Sequence, residues 1–523
     1  MKDKTFDSKV TSVVNTILAA VILFSFSALS LSKEPQKKIF NELDELFEKA
    51  RLDIKAPSLV FGVVTDEGLV HSRGFGSRTL PDGTAPDNQT AFRIASMTKM
   101  MTALLVLDLQ DQGLLYLDAP AETYAKALAS LTYPTTDSRK ITVRDLLNHT
   151  SGFVTDNPWA DRQMARTNEE LNAFLAKAEP FAYAPGEHAE YSNLGYVVLG
   201  KIIENVSGRS FAEQLQNRLL KPLKMNNTTL DLNTLTLAQR AGAYNLVDGK
   251  YLQEPVLESG SFDPLGGIWT NVEDYGKFVA WMLASWPAHD GPERTLIPRR
   301  VVRSVTDGVS LLGASKGSGM VSENDCTMSS AYSMGLGIKK HCDAGLVLTH
   351  GGGFPGFGSY VVMMPDKGLG VFSFANETYA NAFGPVWDAA RKLINSDLGK
   401  SPHQYTADVR MQKAYEGVIE AYASSDIQTA NLTFADNFFL DRSQERWARQ
   451  LKEIKSDAGE CKVGDLKPVS RLSGEFEWLC AKARVAGYLL QSPLNPANIQ
   501  MLHLRVILRD GNGRDLVLDN DFH

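Results

Sequence analysis

The chain has 523 residues, 43% of them hydrophobic and 22% charged, with a formal net charge of −7 at neutral pH. This is a globular composition, long enough for more than one hydrophobic core. Acidic residues are in excess and no run of lysine and arginine offsets them locally, which excludes nucleic acid as a partner.

In chain order, Lys2, Lys4 and Lys9 precede an apolar run from Ile17 to Leu29, where Ala28 and Ser30 have the small-residue spacing of a signal-peptidase site. Residues 1–32 are read as a secretory signal peptide, so the expected location is periplasmic or secreted. An uncleaved membrane anchor is the alternative. The run is shorter than the ~20 apolar residues a span needs, and Ser25 and Ser27 interrupt it.

The segment FRIASMTKMM, residues 92–101, leads into a run that is apolar around most of a helix and ends at Gly113, a C-cap residue. Ser96 falls at the first turn and Lys99 one turn above it on the same face. A lysine near a buried helix start is desolvated and close to the positive end of the helix dipole, which lowers its pKa and lets it take a proton from Ser96. The structural alternative is a serine cap beside a snorkelling lysine. Ser30 and Lys33 share the spacing, so the pattern alone is weak.

Further along, LLNHTSG (146–152) contains His149, for which a structural loop is the better reading than a catalytic base. Tyr191 and Asn193 stand two apart before an apolar helical pattern; in an extended segment both side chains point one way and offer a proton shuttle and a substrate hydrogen bond. Asp274 reads as a helix-start residue. GASKG (313–317) reads as a flexible surface loop, although it fits the G-x-S-x-G elbow of α/β-hydrolases around Ser315. That alternative also requires HGGG to precede the elbow, and here it follows. His350 and Gly351–Gly353 read as the Gly-rich turn between two strands, exposing backbone N–H groups to a ligand.

The four cysteines allow two disulfides, Cys326–Cys342 and Cys461–Cys480, consistent with an oxidising compartment. No CxxC or HExxH pattern supports a metal site, and no organic cofactor is implied. Composition changes near residues 395–405, which divides the chain into 33–397 and a smaller α+β segment, 405–523, with two helical stretches followed by alternating strands.

Taken in order, FRIASMTK, LLNHTSG, YSN, GGIWTNVEDYGKFVAWML, MGLGI and HGGG resemble the serine β-lactamase and penicillin-recognising enzyme family, particularly its class C-like branch with D-amino-acid peptidases and esterases. The resemblance covers residues 40–395. It implies an α/β (α+β) fold with a central antiparallel sheet, flanking helices and an all-helical subdomain, with Ser96 at their interface. It also implies an acyl-enzyme serine hydrolase acting on a small-molecule or peptide amide, ester or β-lactam. Ser96 would be the nucleophile, Lys99 its proton partner and Tyr191 a general base or acid. Asn193, His350, Gly352 and Gly353 would bind substrate, with the N–H groups of Ser96 and Gly353 as the oxyanion hole. Where the family usually has Lys and then Thr or Ser, this chain has His350 and Gly351. A fixed cation for a substrate carboxylate is therefore missing, and imidazolium formed near pH 6 would restore part of it. The non-catalytic alternative is a binding or scaffold protein of the same fold.

Overall fold

Alternation of apolar side chains decides the architecture of the larger unit. In β1 (Ser58–Thr65) Val60 and Val64 enter one core while Leu59, Phe61 and Val63 enter another, so the strand is hydrophobic on both faces. The computed structural model describes residues 33–523 except 158, 309, 319–324, 343, 400–404, 429–431, 495–497, 510–514 and 519–523. The proposed signal peptide lies outside these residues; among them, no helix is long and apolar enough to cross a membrane. The chain divides into two compact units, Met1–Lys400 and Ser401–His523.

The first unit is built on an antiparallel sheet whose strands are β1, β2 (Gly68–Gly76), β3 (Ser310–Ser318), β4 (Asp325–Ser333), β5 (Leu336–His341), β6 (Gly345–Phe354), β7 (Phe357–Met364) and β8 (Leu369–Ala375). Their order is β2-β1-β8-β7-β6-β5-β4-β3, so the first and last strands of the unit pair with each other, one strand in from the β2 edge. Helix α1 (Lys33–Asp53), through Leu43 and Phe47, and a C-terminal helix, through Val386 and Leu393, share one core with the sheet. On the other face lie α2 (Thr98–Asp111), α3 (Val143–Asn148), α4 (Asn193–Ser207) and α5 (Val272–Leu283), all from the long insertion between β2 and β3. The unit closes with α6 (Phe383–Ile394). This is the expected α+β architecture.

Two expectations change. GASKG is part of β3, with Ser315 opposite Met328 and exposed, so it forms no strand-to-helix elbow. The HGGG segment is not a turn but continues β6, and the hairpin reverses at Pro355–Gly356, where Gly356 has φ +84°. Three strands, not two, cover residues 345–375.

The second unit carries α7 (Val409–Ser424) and α8 (Gln444–Ala458), each started by a side-chain cap: Asp408 accepts from Met411 N–H and Ser443 from Arg446 N–H. They pack on an antiparallel sheet of β9 (Ser473–Cys480), β10 (Arg484–Gln491), β11 (Ile499–Arg509) and β12 (Asp515–Leu518). Every second residue of β9 and β10 faces this separate core, where Trp478 donates its indole N–H to Tyr415 Oη at 2.9 Å. Cys461 and Cys480 are disulfide-bonded across neighbouring strands. The side chain of Cys326, and with it the Cys326–Cys342 pairing, lies outside the described residues.

Candidate active site

Residues Ala95–Met97 form a single 3₁₀ turn before α2, which is hydrophobic all round and therefore buried from Thr98 to Leu109. Ala95 is held at φ +49°, a left-handed conformation costing on the order of 1–3 kcal/mol outside glycine, and it aims Ser96 into the cleft. The turn is clamped from two sides. Gly266 passes so close that a Cβ there would lie 3.3 Å from the Ala95 carbonyl carbon, and Thr98 Oγ1 accepts from Ile268 N–H at 3.3 Å. Across the turn lies β6, where a Cβ on Gly352 would lie 2.2 Å from Ser359 Oγ and 2.3 Å from the Ile94 carbonyl.

One turn above Ser96, Lys99 is fully buried. Its Nζ lies 3.1 Å from Ser96 Oγ, 2.7 Å from Asn193 Oδ1 and 2.8 Å from the Leu265 carbonyl. Burial pushes its pKa down to about 7, against the pull of the Asp161 and Asp156 carboxylates. Tyr191 presents its ring 5.1 Å from Lys99 Nζ; burial raises the phenol's pKa well above its ordinary value, while a hydrogen bond with Ser96 opposes that rise.

The backbone that carries Tyr191 is anchored by its neighbours. His149 ends α3 in the left-handed conformation and takes hydrogen bonds from Glu190 N–H on its carbonyl and Ser192 N–H on Nδ1. Its ring lies 4.3 Å from that of Tyr191. Burial, and then the charge of Lys99, drive its pKa well below 6.5, so it is a neutral support and not a base. Asn148, beside it, accepts the N–H of Met334 at 3.0 Å and holds the β4–β5 hairpin, whose Met334 and Gly335 both have positive φ. Asp274 stands in the first turn of α5, takes the N–H of Asn227 and pairs with Lys277.

A cleft of about 440 Å³ opens over this arrangement, lined by Ser96, Tyr191, His350, Gly351 and Gly353 among the residues singled out in the sequence. Lys99 lies beneath its wall, and two of the expected substrate-binding residues are absent from it. Gly352 packs on the Ile94 carbonyl and the Ala95 methyl, so its missing side chain serves strand-to-turn contact and not ligand approach. Asn193 is fully buried as the first residue of α4; it accepts from Lys99 and donates to Asn157. Its backbone N–H and that of Leu194 donate to Asp156 at 2.7 and 2.8 Å, so a carboxylate from another loop caps this helix. In this structure Asn193 therefore orients Lys99 instead of facing a ligand.

His350 is buried and neutral. Its Nδ1 lies 2.6 Å from the Gly351 carbonyl and so carries the proton, leaving Nε2 to accept from the Tyr332 hydroxyl at 3.2 Å. Burial first, and then the nearby Lys99 charge, push its pKa down to about 3. The expected imidazolium near pH 6 does not form.

The sequence reading missed Asn157, Asp161, Tyr332 and Tyr379, all of which line the cleft. Asn157 and Asp161 belong to VTDNPWADRQ, whose Asn-Pro dipeptide is a general turn signal and carries no information about the wall the segment joins. Tyr379, at φ +52°, donates to Asp161 Oδ2 at 3.1 Å.

Residues 43–396 match the sequence model of the Beta-lactamase family. Beta-lactamase-like protein 4 of Dictyostelium discoideum is 30% identical over 260 residues, 47% of this chain and 45% of its own length. The chain thus spans less than half of that relative. The D-alanyl-D-alanine-carboxypeptidase/endopeptidase AmpH of Escherichia coli K12 is 26% identical over 357 residues, 65% of this chain and 85% of its own. Among solved structures, the octameric penicillin-binding protein homologue from Pyrococcus abyssi matches with a TM-score of 0.56 and 20% identity, covering 91% of this chain and 95% of its own, which is a likeness of fold. With its match extending over most of the sequence and its large antiparallel sheet flanked by helices, the chain belongs to the Beta-lactamase family.

Proposed function

We propose that the chain is a serine hydrolase that acts through an acyl-enzyme on Ser96. The observation that carries this reading is the set of partners around Lys99 Nζ. Asn193 Oδ1 and the Leu265 carbonyl can only accept hydrogen bonds, so a neutral Lys99 spends both N–H groups on them. Its lone pair is left facing the one partner that can donate, the Ser96 hydroxyl.

The chemistry follows from that geometry. Lys99 takes the Ser96 proton as Oγ bonds to the substrate carbonyl carbon. The N–H groups of Ser96 and Gly353 are the proposed donors to the resulting oxyanion. The proton then passes, through Lys99 or Tyr191, to the leaving group as its bond to that carbon breaks. Water adds to the acyl-enzyme by the reverse proton path, releasing the acid and regenerating the serine hydroxyl.

The finer reading is a preference for esters and amides without a carboxylate near the scissile bond. His350 is neutral, and among the described residues that line the cleft none is lysine or arginine. The E. coli relative is named for peptide-bond cleavage, which belongs to the same reaction class. Export is proposed on the N-terminal leader, and the Cys461–Cys480 disulfide is in keeping with an oxidising compartment.

A fluorophosphonate probe and hydrolysis of p-nitrophenyl butyrate test the reading. Ser96→Ala is expected to lose both with its melting temperature little changed, while Ser315→Ala, exposed on β3, keeps both. Labelling that survives in Ser96→Ala would place the nucleophile elsewhere.

A further inference from the structure

Among the described residues that line the cleft, Asp161 is the one whose side chain carries a charge near neutral pH, because His350 stays neutral and Lys99 lies beneath the wall. This carboxylate is not an incidental surface group. The residue is only 2% exposed, and Tyr379 Oη holds its Oδ2 at 3.1 Å. The ring of Tyr379 lies against β6, where a Cβ on Gly353 would be 2.8 Å from its Cδ1. Asp161 is thereby tied to the strand that supplies the proposed oxyanion donor. Other charges nearby are committed: Asp156 caps α4, Lys99 is enclosed by Ser96, Asn193 and the Leu265 carbonyl, and Arg162 leans toward Glu254 at 3.9 Å. Burial raises the Asp161 pKa to about 6, against the pull of Lys99 and Tyr379, so it remains mostly ionised at pH 7.

We propose that Asp161 reads a positive charge on the substrate, so that the cleft selects acyl donors with an ammonium group near the scissile carbonyl, such as amino-acid amides and esters or the amino-terminal residue of a peptide. This rests on Ser96 as the nucleophile and adds the substrate class. The carboxylate accepts a charge-assisted hydrogen bond from the ammonium, in a wall where water competes poorly. It also repels a substrate carboxylate, which strengthens the discrimination that neutral His350 leaves incomplete.

The test uses hydrolysis of p-nitrophenyl butyrate as a reporter and measures inhibition by alaninamide, each enantiomer separately, and by its N-acetyl derivative. The full-length protein is expected to bind at least one alaninamide enantiomer about tenfold or more tightly than the acetylated form. Asp161→Asn, which keeps an oxygen for Tyr379, should bring that ratio close to one. Any change in Lys99 caused by the lost charge acts on both ligands and cancels in the ratio. Tyr379→Phe, which removes the hydrogen bond that helps keep Asp161 ionised and in place, should narrow the ratio, and it serves if Asp161→Asn fails to fold. Equal inhibition by amine and amide in the native protein, a ratio unaltered in Asp161→Asn, or no narrowing in Tyr379→Phe would overturn the proposal while ester turnover leaves the Ser96 reading standing. Absence of both ester turnover and Ser96 labelling would overturn the two together.

Discussion

Between pH 5 and 8 the ionisable groups at the cleft respond differently to pH, and the difference makes their roles measurable. Lys99 has a pKa near 7 and must be neutral to accept the Ser96 proton. Its neutral fraction rises with pH, so kcat/KM for p-nitrophenyl butyrate should climb about tenfold per unit below pH 7 and level off above it. A flat profile over that range would assign proton transfer to another group. Lys99→Ala should lower the plateau by about 10²–10⁴-fold. His350, with its pKa pushed down to about 3, keeps its charge state throughout, whereas Asp161 loses its negative charge as pH falls through about 6. Any gain of nitrocefin over the butyrate ester on acidification should therefore persist in His350→Gln and disappear in Asp161→Asn. The comparison is the ratio of kcat/KM values at pH 7.5 and 5.5 in each variant. The Ser96–Lys99 pair was legible because one helical turn fixes its distance. Asp161 was not, because its partner Tyr379 lies 218 positions away.

At the scale of elements, the cleft depends on how closely β6 approaches the turn before α2. Gly352 permits that approach, and the clash of a Cβ with Ile94 O involves backbone that cannot swing aside. Gly352→Ala should lower stability by about 1–3 kcal/mol and depress Ser96 labelling, because relieving the overlap moves the strand away from Ser96. Gly384, near the start of α6 with nothing within 4 Å of its would-be Cβ, is the matched control. Gly384→Ala should leave labelling intact and raise stability by up to about 1 kcal/mol. Thermal unfolding and probe labelling of the two variants decide it; equal behaviour would remove the close-approach argument. The same element shows why a local reading of HGGG as a turn failed. Glycine signals freedom of the backbone, but here the freedom is used for contact inside a paired strand, and pairing with residues 357–361 is not written in the segment itself.

At the scale of the whole molecule, the two units have separate cores, one holding the cleft and the other built around Trp478, Trp447 and Leu451. Every residue assigned to the candidate site lies between Ile94 and Tyr379. A chain ending at Gly399 should accordingly keep Ser96 labelling, at a rate within about threefold of the full chain, since losing an independent core removes no contact within the first. Folded but unlabelled protein would show that residues 401–523 complete the site. Trp478→Ala, which empties the centre of the second core, should lower that unit's stability by about 3–5 kcal/mol. Labelling should continue, and two separate transitions in calorimetry would register the uncoupling.

The sequence alone sufficed for the position of α2 with Ser96 at its head and for the strand-rich second segment. Both rest on periodicity and on helix-end signals, which act over one or two turns of chain. The family resemblance, carried by short motifs in a fixed order, implied the α+β fold of the larger unit. Only the tertiary structure decided that Asn193 turns inward to Lys99, that Gly352 serves packing, that His350 stays neutral and that Asp161 joins the wall. Each of those outcomes is set by desolvation and by partners brought together from distant parts of the chain. A residue's charge state depends on what surrounds it in space, and sequence spacing carries no record of that.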